Sequence, residues 1–349
     1  MPSARWRLEE ELRIGVVSGE DPYVFGWVRN VIPAEDGGVW VYDAQAVELR
    51  RFAEDGTHLF SVGRQGQGPS EFSGNACARR GVDGEIWVET ETVWHRFDRD
   101  GELLGTFRTP STLACGVRAW LDSEHYLVVH FRFARGSGSQ TTFFTLLEWK
   151  GDDFIVVDTI PPPEVDALRI ISFVNSAGQI VGESTIPFVH DAGWRLQEDG
   201  SFLVWDGGGD YALRLQTLDG DTVRTVARAW VPVRIESSAR REAIDRLNRP
   251  GWRAETALDE SEVPRVHPPF STAILTPDGT IWVTRVGDEG ETVREIFSPE
   301  GEFLGELDVP EAWSGLTIHS VGRDHLWGTI HDEYDVTFVV RARLVRGGS

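Results

Sequence analysis

The chain is poor in the residues that announce a mechanism. Among 349 residues there are two cysteines, one methionine and one lysine, Lys150, so nearly all of its positive charge is arginine. Two cysteines without a third thiol or a nearby histidine pair argue against a zinc site built on thiolates. No apolar run approaches the ~20 residues of a membrane-spanning helix, so no membrane span is predicted. No long stretch keeps a helical period, which excludes bundles and coiled coils. The start, Met1-Pro2-Ser3-Ala4-Arg5-Trp6, carries no secretory signal. Gly-x-Ser-x-Gly, His-Glu-x-x-His and Ca²⁺-loop patterns are all missing.

Positive charge is also scarce. The formal net charge is −22, with acids spread along the chain rather than gathered in a tail. Such a field repels phosphate backbones and anionic headgroups, so nucleic acid is not a predicted partner. Solvated acidic loops explain the charge; a cation-binding surface is the other reading.

What the chain does have is a recurring cassette. It reads Asp36-Gly37-Gly38-Val39-Trp40-Val41, then Asp83-Gly84-Glu85-Ile86-Trp87-Val88, and later Asp278-Gly279-Thr280-Ile281-Trp282-Val283. Looser copies begin at Asp122, Asp199 and Asp324. Asp-Gly supplies the backbone angles of a tight hairpin turn, and the β-branched and aromatic residues after it suit a buried strand. A second turn follows each cassette, as in Glu54-Asp55-Gly56 and Arg99-Asp100-Gly101, flanked by alternating strands. Each unit therefore reads as one four-stranded antiparallel blade, and repetition at this period is the mark of a propeller.

The prediction is an all-β fold, a six-bladed β-propeller forming a single domain over 1–349. Blades are placed near 26–62, 74–108, 115–160, 188–229 and 268–309. The sixth, in 314–345, has three strands. Its fourth is supplied by the N-terminal segment, where Trp6, Leu8, Leu12, Ile14 and Val16 share a parity, closing the ring and removing an edge. Two intervals are nearly double. They are read as insertions at about 161–187, with room for a hairpin, and 229–269, with one short helix capped at Ser237 or Ser238.

The stretch Val62-Gly63-Arg64-Gln65-Gly66-Gln67-Gly68-Pro69-Ser70-Glu71-Phe72 resembles a hallmark of bacterial six-bladed β-propeller proteins related to the NHL-repeat group. There such a segment carries the chain from one blade to the next. The ending Asp332-Glu333-Tyr334-Asp335-Val336 and its final strand resemble that group too. The resemblance implies the fold and, since many members are exported, a periplasmic or cell-surface location with the leader absent from this chain; a cytoplasmic location is the alternative. It implies no particular chemistry.

Candidate residues are the polar ones that break the repeat near the starts of the inner strands: Asn30, Asn75, Arg118, His190, Asp191 and His267. His319 and His331 fall near the same strands or rim loops, whereas His58 and His95 read as surface residues. Cys77 and Cys115 precede their cassettes by similar distances, so both fall near the axis on adjacent blades. A disulfide there would tie two blades together and imply an oxidising compartment; two small buried thiols are the other reading. The function predicted is non-catalytic binding of a small molecule or protein at the rim of the central channel, by a monomer without a cofactor. The alternative follows six-bladed relatives of the gluconolactonase and strictosidine-synthase groups, in which a metal-assisted hydrolase, lactonase or lyase site sits over the channel. Here Asn30, Asn75, Asp191 and His267 would hold a metal such as Ca²⁺.

Overall fold

Each full copy of the cassette, and the looser one at Asp199, turns a hairpin. In the computed structural model Gly37, Gly84, Gly200 and Gly279 have φ of +82°, +77°, +82° and +83°, a region that only glycine occupies without strain. The structure describes residues 4–347 apart from 74, 91–92, 109–114, 116–117, 134–139, 152, 167–169, 191, 208, 248–252, 255–257, 259 and 314.

Strand β1 is Ala4–Ile14. The first sheet holds β2 (Val28–Pro33), β3 (Val39–Asp43), β4 (Glu48–Phe52) and β5 (His58–Val62) in that order. The second holds β6 (Cys77–Arg80), β7 (Ile86–Glu89), β8 (Val93–Phe97) and β9 (Leu103–Arg108). The third holds β10 (Arg118–Trp120), β11 (His125–Phe133), β12 (Gln140–Trp149) and β13 (Phe154–Ile160). After a hairpin of β14 (Ile170–Val174) and β15 (Ile180–Thr185) comes the fourth sheet, β16 (Gly193–Leu196), β17 (Phe202–Trp205), β18 (Ala212–Gln216) and β19 (Thr222–Ala227). Helix α1 (Ser237–Leu247) and the two-residue β20 (Arg253–Ala254) follow. The chain ends with β21 (Thr272–Leu275), β22 (Ile281–Val286), β23 (Thr292–Phe297), β24 (Phe303–Asp308), β25 (Thr317–Val321), β26 (His325–His331) and β27 (Thr337–Arg346).

These small antiparallel sheets form a propeller-like ring. Four are separate and four-stranded, and the last seven strands join β1 in one eight-stranded sheet of order β21-β22-β23-β24-β1-β27-β26-β25. β1 pairs antiparallel with β27 from Trp6↔Arg346 to Ile14↔Val339, as the parity of its apolar residues requires. It also pairs in parallel with β24, from Ala4↔Gly305 to Arg7↔Asp308, which the repeat did not foretell. The two insertions meet: β20 pairs with β14 and makes a three-stranded sheet with β15. Among the described residues no helix is long and apolar enough to cross a membrane.

The core lies between neighbouring sheets. Tyr42 and Leu49 of the first pack with Ile86, Val88 and Phe97 of the second around the fully buried Phe72. The glycine-rich link holds Phe72 there. Glu71 accepts hydrogen bonds from Arg64 Nε (2.9 Å) and from the backbone N–H groups of Gln67 (3.0 Å) and Gly68 (2.9 Å). His95 is a correction to the surface reading. On β8, third in its sheet, it is buried edge-on against Phe72 at 5.3 Å, and burial lowers its pKa.

Candidate functional site

The first strands of neighbouring sheets approach one another and exchange hydrogen bonds. Asn30 Oδ1 on β2 accepts from Ala78 N–H on β6 at 3.0 Å. On the far side, Arg195 Nη1 of β16 donates to Thr272 Oγ1 of β21 at 3.2 Å, and Leu275 N–H donates to Gln197 Oε1 at 2.9 Å. The starts of these strands make one end of the ring, and the cassette turns make the other.

At the strand-start end the geometry centres on Arg29, which sequence reasoning missed. Its Nη1 donates to Asn75 Oδ1 (3.1 Å) and Ala76 O (3.0 Å), and lies 3.4 Å from Cys115 Sγ and 4.0 Å from Cys77 Sγ. Its guanidinium carbon sits 4.3 Å from the ring centre of Trp27, an indole 55% exposed. Stacking of this kind holds the cation in place without neutralising it.

The residue that positions Trp27 is Asp43, at the end of β3. It is 1% exposed and accepts backbone N–H groups from Gly26 (3.0 Å), Trp27 (3.1 Å), Gln45 (3.0 Å) and Ala46 (3.2 Å). Ala44 N–H returns a bond to Trp27 O at 2.8 Å. An Asp at a strand end followed by small residues was the available signal, because a short carboxylate there meets turn N–H groups.

Cys77 and Cys115 form a disulfide with Cα atoms 5.3 Å apart and a sequence separation of 38. It ties Cys115, three residues before β10 in sequence, to the start of β6, beside Arg29. Replacing both cysteines by serine should lower stability by about 4 kcal/mol, the chain-entropy value for a loop of this length. Urea unfolding reads this, and a change below about 1 kcal/mol would show that the crosslink constrains little.

The predicted residues thus divide. Asn75 and the two cysteines gather round Arg29, while Asn30 supports the adjacent strand. Arg118 opens β10 opposite Val128; its side chain, like the whole of Asp191, lies outside the described residues. His190 stands edge-on to Phe270 at 4.7 Å and His267 edge-on to Phe188 at 5.5 Å, so both pack against rings. Burial lowers the His267 pKa and pushes the His319 imidazole down to about 4, leaving His319 neutral at pH 7. Among the described residues no group of three or more His, Cys, Asp or Glu is placed to hold a metal.

The turn end carries a second repeated feature. The cassette tryptophan faces an arginine across the hairpin: Trp40↔Arg51, Trp87↔Arg96 and Trp327↔Arg341. Guanidinium carbons lie 5.4, 5.9 and 5.6 Å from the ring centres. Two clefts open beside these pairs. One of about 150 Å³ lies between the first and second sheets, and one of about 590 Å³ between the first sheet and the β1–β27 seam.

No protein-family model matches the chain, and no curated protein matches it in sequence. Solved structures share its fold over nearly the whole length. A member of the duf4221 family from Bacteroides vulgatus matches at 11% identity, TM-score 0.56, covering 99% of each chain. A candidate exported protein from Bacteroides fragilis matches at 11% identity, TM-score 0.55, covering 97% of this chain and 95% of that one. At that identity the likeness establishes the fold alone: these neighbours place the chain among propeller-type proteins.

Proposed function

We propose that the chain is an exported, monomeric, single-domain six-bladed propeller that binds a small molecule or protein at the end of the ring where its first strands begin, with no chemistry of its own. The six-blade count treats the eight-stranded sheet as two blades, β21–β24 and β25–β27 with β1, joined edge to edge. The disulfide supports an oxidising compartment. The observation that carries the binding reading is Arg29, held over the half-exposed Trp27 beside Asn75. An aromatic face with a fixed cation offers stacking and charge-assisted hydrogen bonds to one ligand.

The test is a thermal-shift screen of the full chain against monosaccharides, uronic acids and small dicarboxylates, followed by calorimetry on any compound that binds. Trp27→Ala and Arg29→Ala should each weaken binding at least about tenfold, or 1.4 kcal/mol. A bound compound indifferent to both changes would refute the assignment. The metal-assisted alternative is separated by elemental analysis and by melting in EDTA and in excess Ca²⁺. The binding reading expects no retained metal and an unchanged Tm; tightly held metal with a Tm that falls in EDTA would favour the enzyme.

A further inference from the structure

The cleft at the seam differs from the other arginine–tryptophan pairs in how its arginine is neutralised. In the first sheet Arg51 Nη2 bonds both carboxylate oxygens of Asp36, at 2.6 and 2.5 Å. In the second, Arg96 is held by both oxygens of Glu85. Those acids stand four and two residues before the cassette tryptophan. In the last sheet the same two positions, counted back from Trp327, carry Arg323 and His325. The acid of this cassette copy, Asp324, stands three residues before Trp327, between those basic residues, and makes no ion pair with Arg341 among the described residues.

Arg341 is left with spare donors. Among the described residues its one hydrogen bond runs from Nη1 to Gly37 O, at 3.2 Å. Its buried Nε has no hydrogen-bond partner. Glu11 lies 3.5 Å from that nitrogen but is shared, with His325 Nε2 at 3.0 Å and Arg343 Nε at 3.7 Å. Across Gly37 stands the opposite case. Glu54 is exposed, lines the same cleft, and makes no side-chain hydrogen bond or ion pair among the described residues. A Cβ at Gly37 would come within 3.1 Å of the Glu54 carboxyl carbon. The under-used cation and the free anion therefore flank one peptide unit, in a cleft of about 590 Å³, a size usual for small-molecule sites.

We propose that this cleft binds a small zwitterion of α-amino-acid type, its carboxylate taken by Arg341 and its ammonium by Glu54. Arginine's planar fork suits a carboxylate, and a ligand carrying both charges satisfies both side chains without leaving a buried charge unpaired. The site lies at the turn end, away from Arg29, and stands or falls independently of the binding reading above.

The experiment is calorimetric titration of the full chain with each common L-amino acid, then with the α-hydroxy acid matching any that binds. One or more amino acids should bind with single-site stoichiometry. The matching hydroxy acid, which lacks the ammonium, should bind at least about tenfold more weakly. Glu54→Gln, an exposed change that leaves the fold intact, and Arg341→Lys, which keeps the charge beside Glu11 but loses the fork, should each weaken binding by a similar factor. If no amino acid binds, if the hydroxy acid binds equally well, or if Glu54→Gln leaves the dissociation constant unchanged, the proposal is wrong.

Discussion

Asp43→Ala should lower stability by about 3–5 kcal/mol, the range found when one partner of a buried, fully used charged group is removed. The four backbone N–H groups that Asp43 accepts belong to two segments, Gly26–Trp27 and Gln45–Ala46. Nothing else among the described residues replaces them when the carboxylate goes. Arg50, 3.6 Å away with its side chain 4% exposed, loses its buried counter-charge as well. Asp43→Asn keeps one acceptor oxygen and should fall between the two. Because these bonds hold Trp27 under Arg29, the alanine variant should also lose whatever the strand-start end binds. Urea unfolding reads the first effect, and calorimetric titration with a compound that the parent chain binds reads the second. A loss below about 1 kcal/mol would show that the turn finds other partners.

Removing residues 1–14 should have the larger effect, an insoluble or aggregated product in place of a lowered Tm. β1 covers two strands at once, β27 along most of its length and β24 at its beginning. Its loss uncovers both edges, rows of unpaired N–H and C=O groups that invite pairing with another chain. It also strips Leu8 and Ile14, 6% and 2% exposed, from two separate clusters. Burying each is worth about 1.5–3 kcal/mol. Size-exclusion chromatography with light scattering decides the matter. A truncated chain that stays monomeric and melts within a few degrees of the parent would refute this account of closure.

The strand pattern was legible because it rests on local demands. Asp-Gly turns need positive φ, and Trp40, Trp87, Trp282 and Trp327 need burial; the sheets follow. Less visible were features made by residues remote in sequence. Arg253–Ala254 has no strand signal of its own and becomes a strand by pairing with Phe173–Val174. Asn75 fell at the strand-start end of the ring, yet Arg29 sat beside Asn30 unnoticed, because its partners come from two later segments. His95 was misplaced because its alternation with Trp94 gives no sign that Phe72 closes over it. The seam was hidden differently. Arg323 and His325 stand where the arginine-pairing acids Asp36 and Glu85 stand relative to their tryptophans, but the consequence for Arg341 shows only when the hairpin sets it opposite Trp327.

The way the ring closes also orders events in time. Glu9 and Arg343, joined across β1 and β27 at 2.7 Å, lie 334 residues apart. During synthesis β1 is made long before its partners β24 and β27, and must wait for them to arrive. The four separate four-stranded sheets can each form from consecutive hairpins, so the seam is the pairing of greatest sequence separation and the slowest to be reached. Until β27 leaves the ribosome the sheets form an open arc, with the hydrophobic side of β1 lacking its main partner.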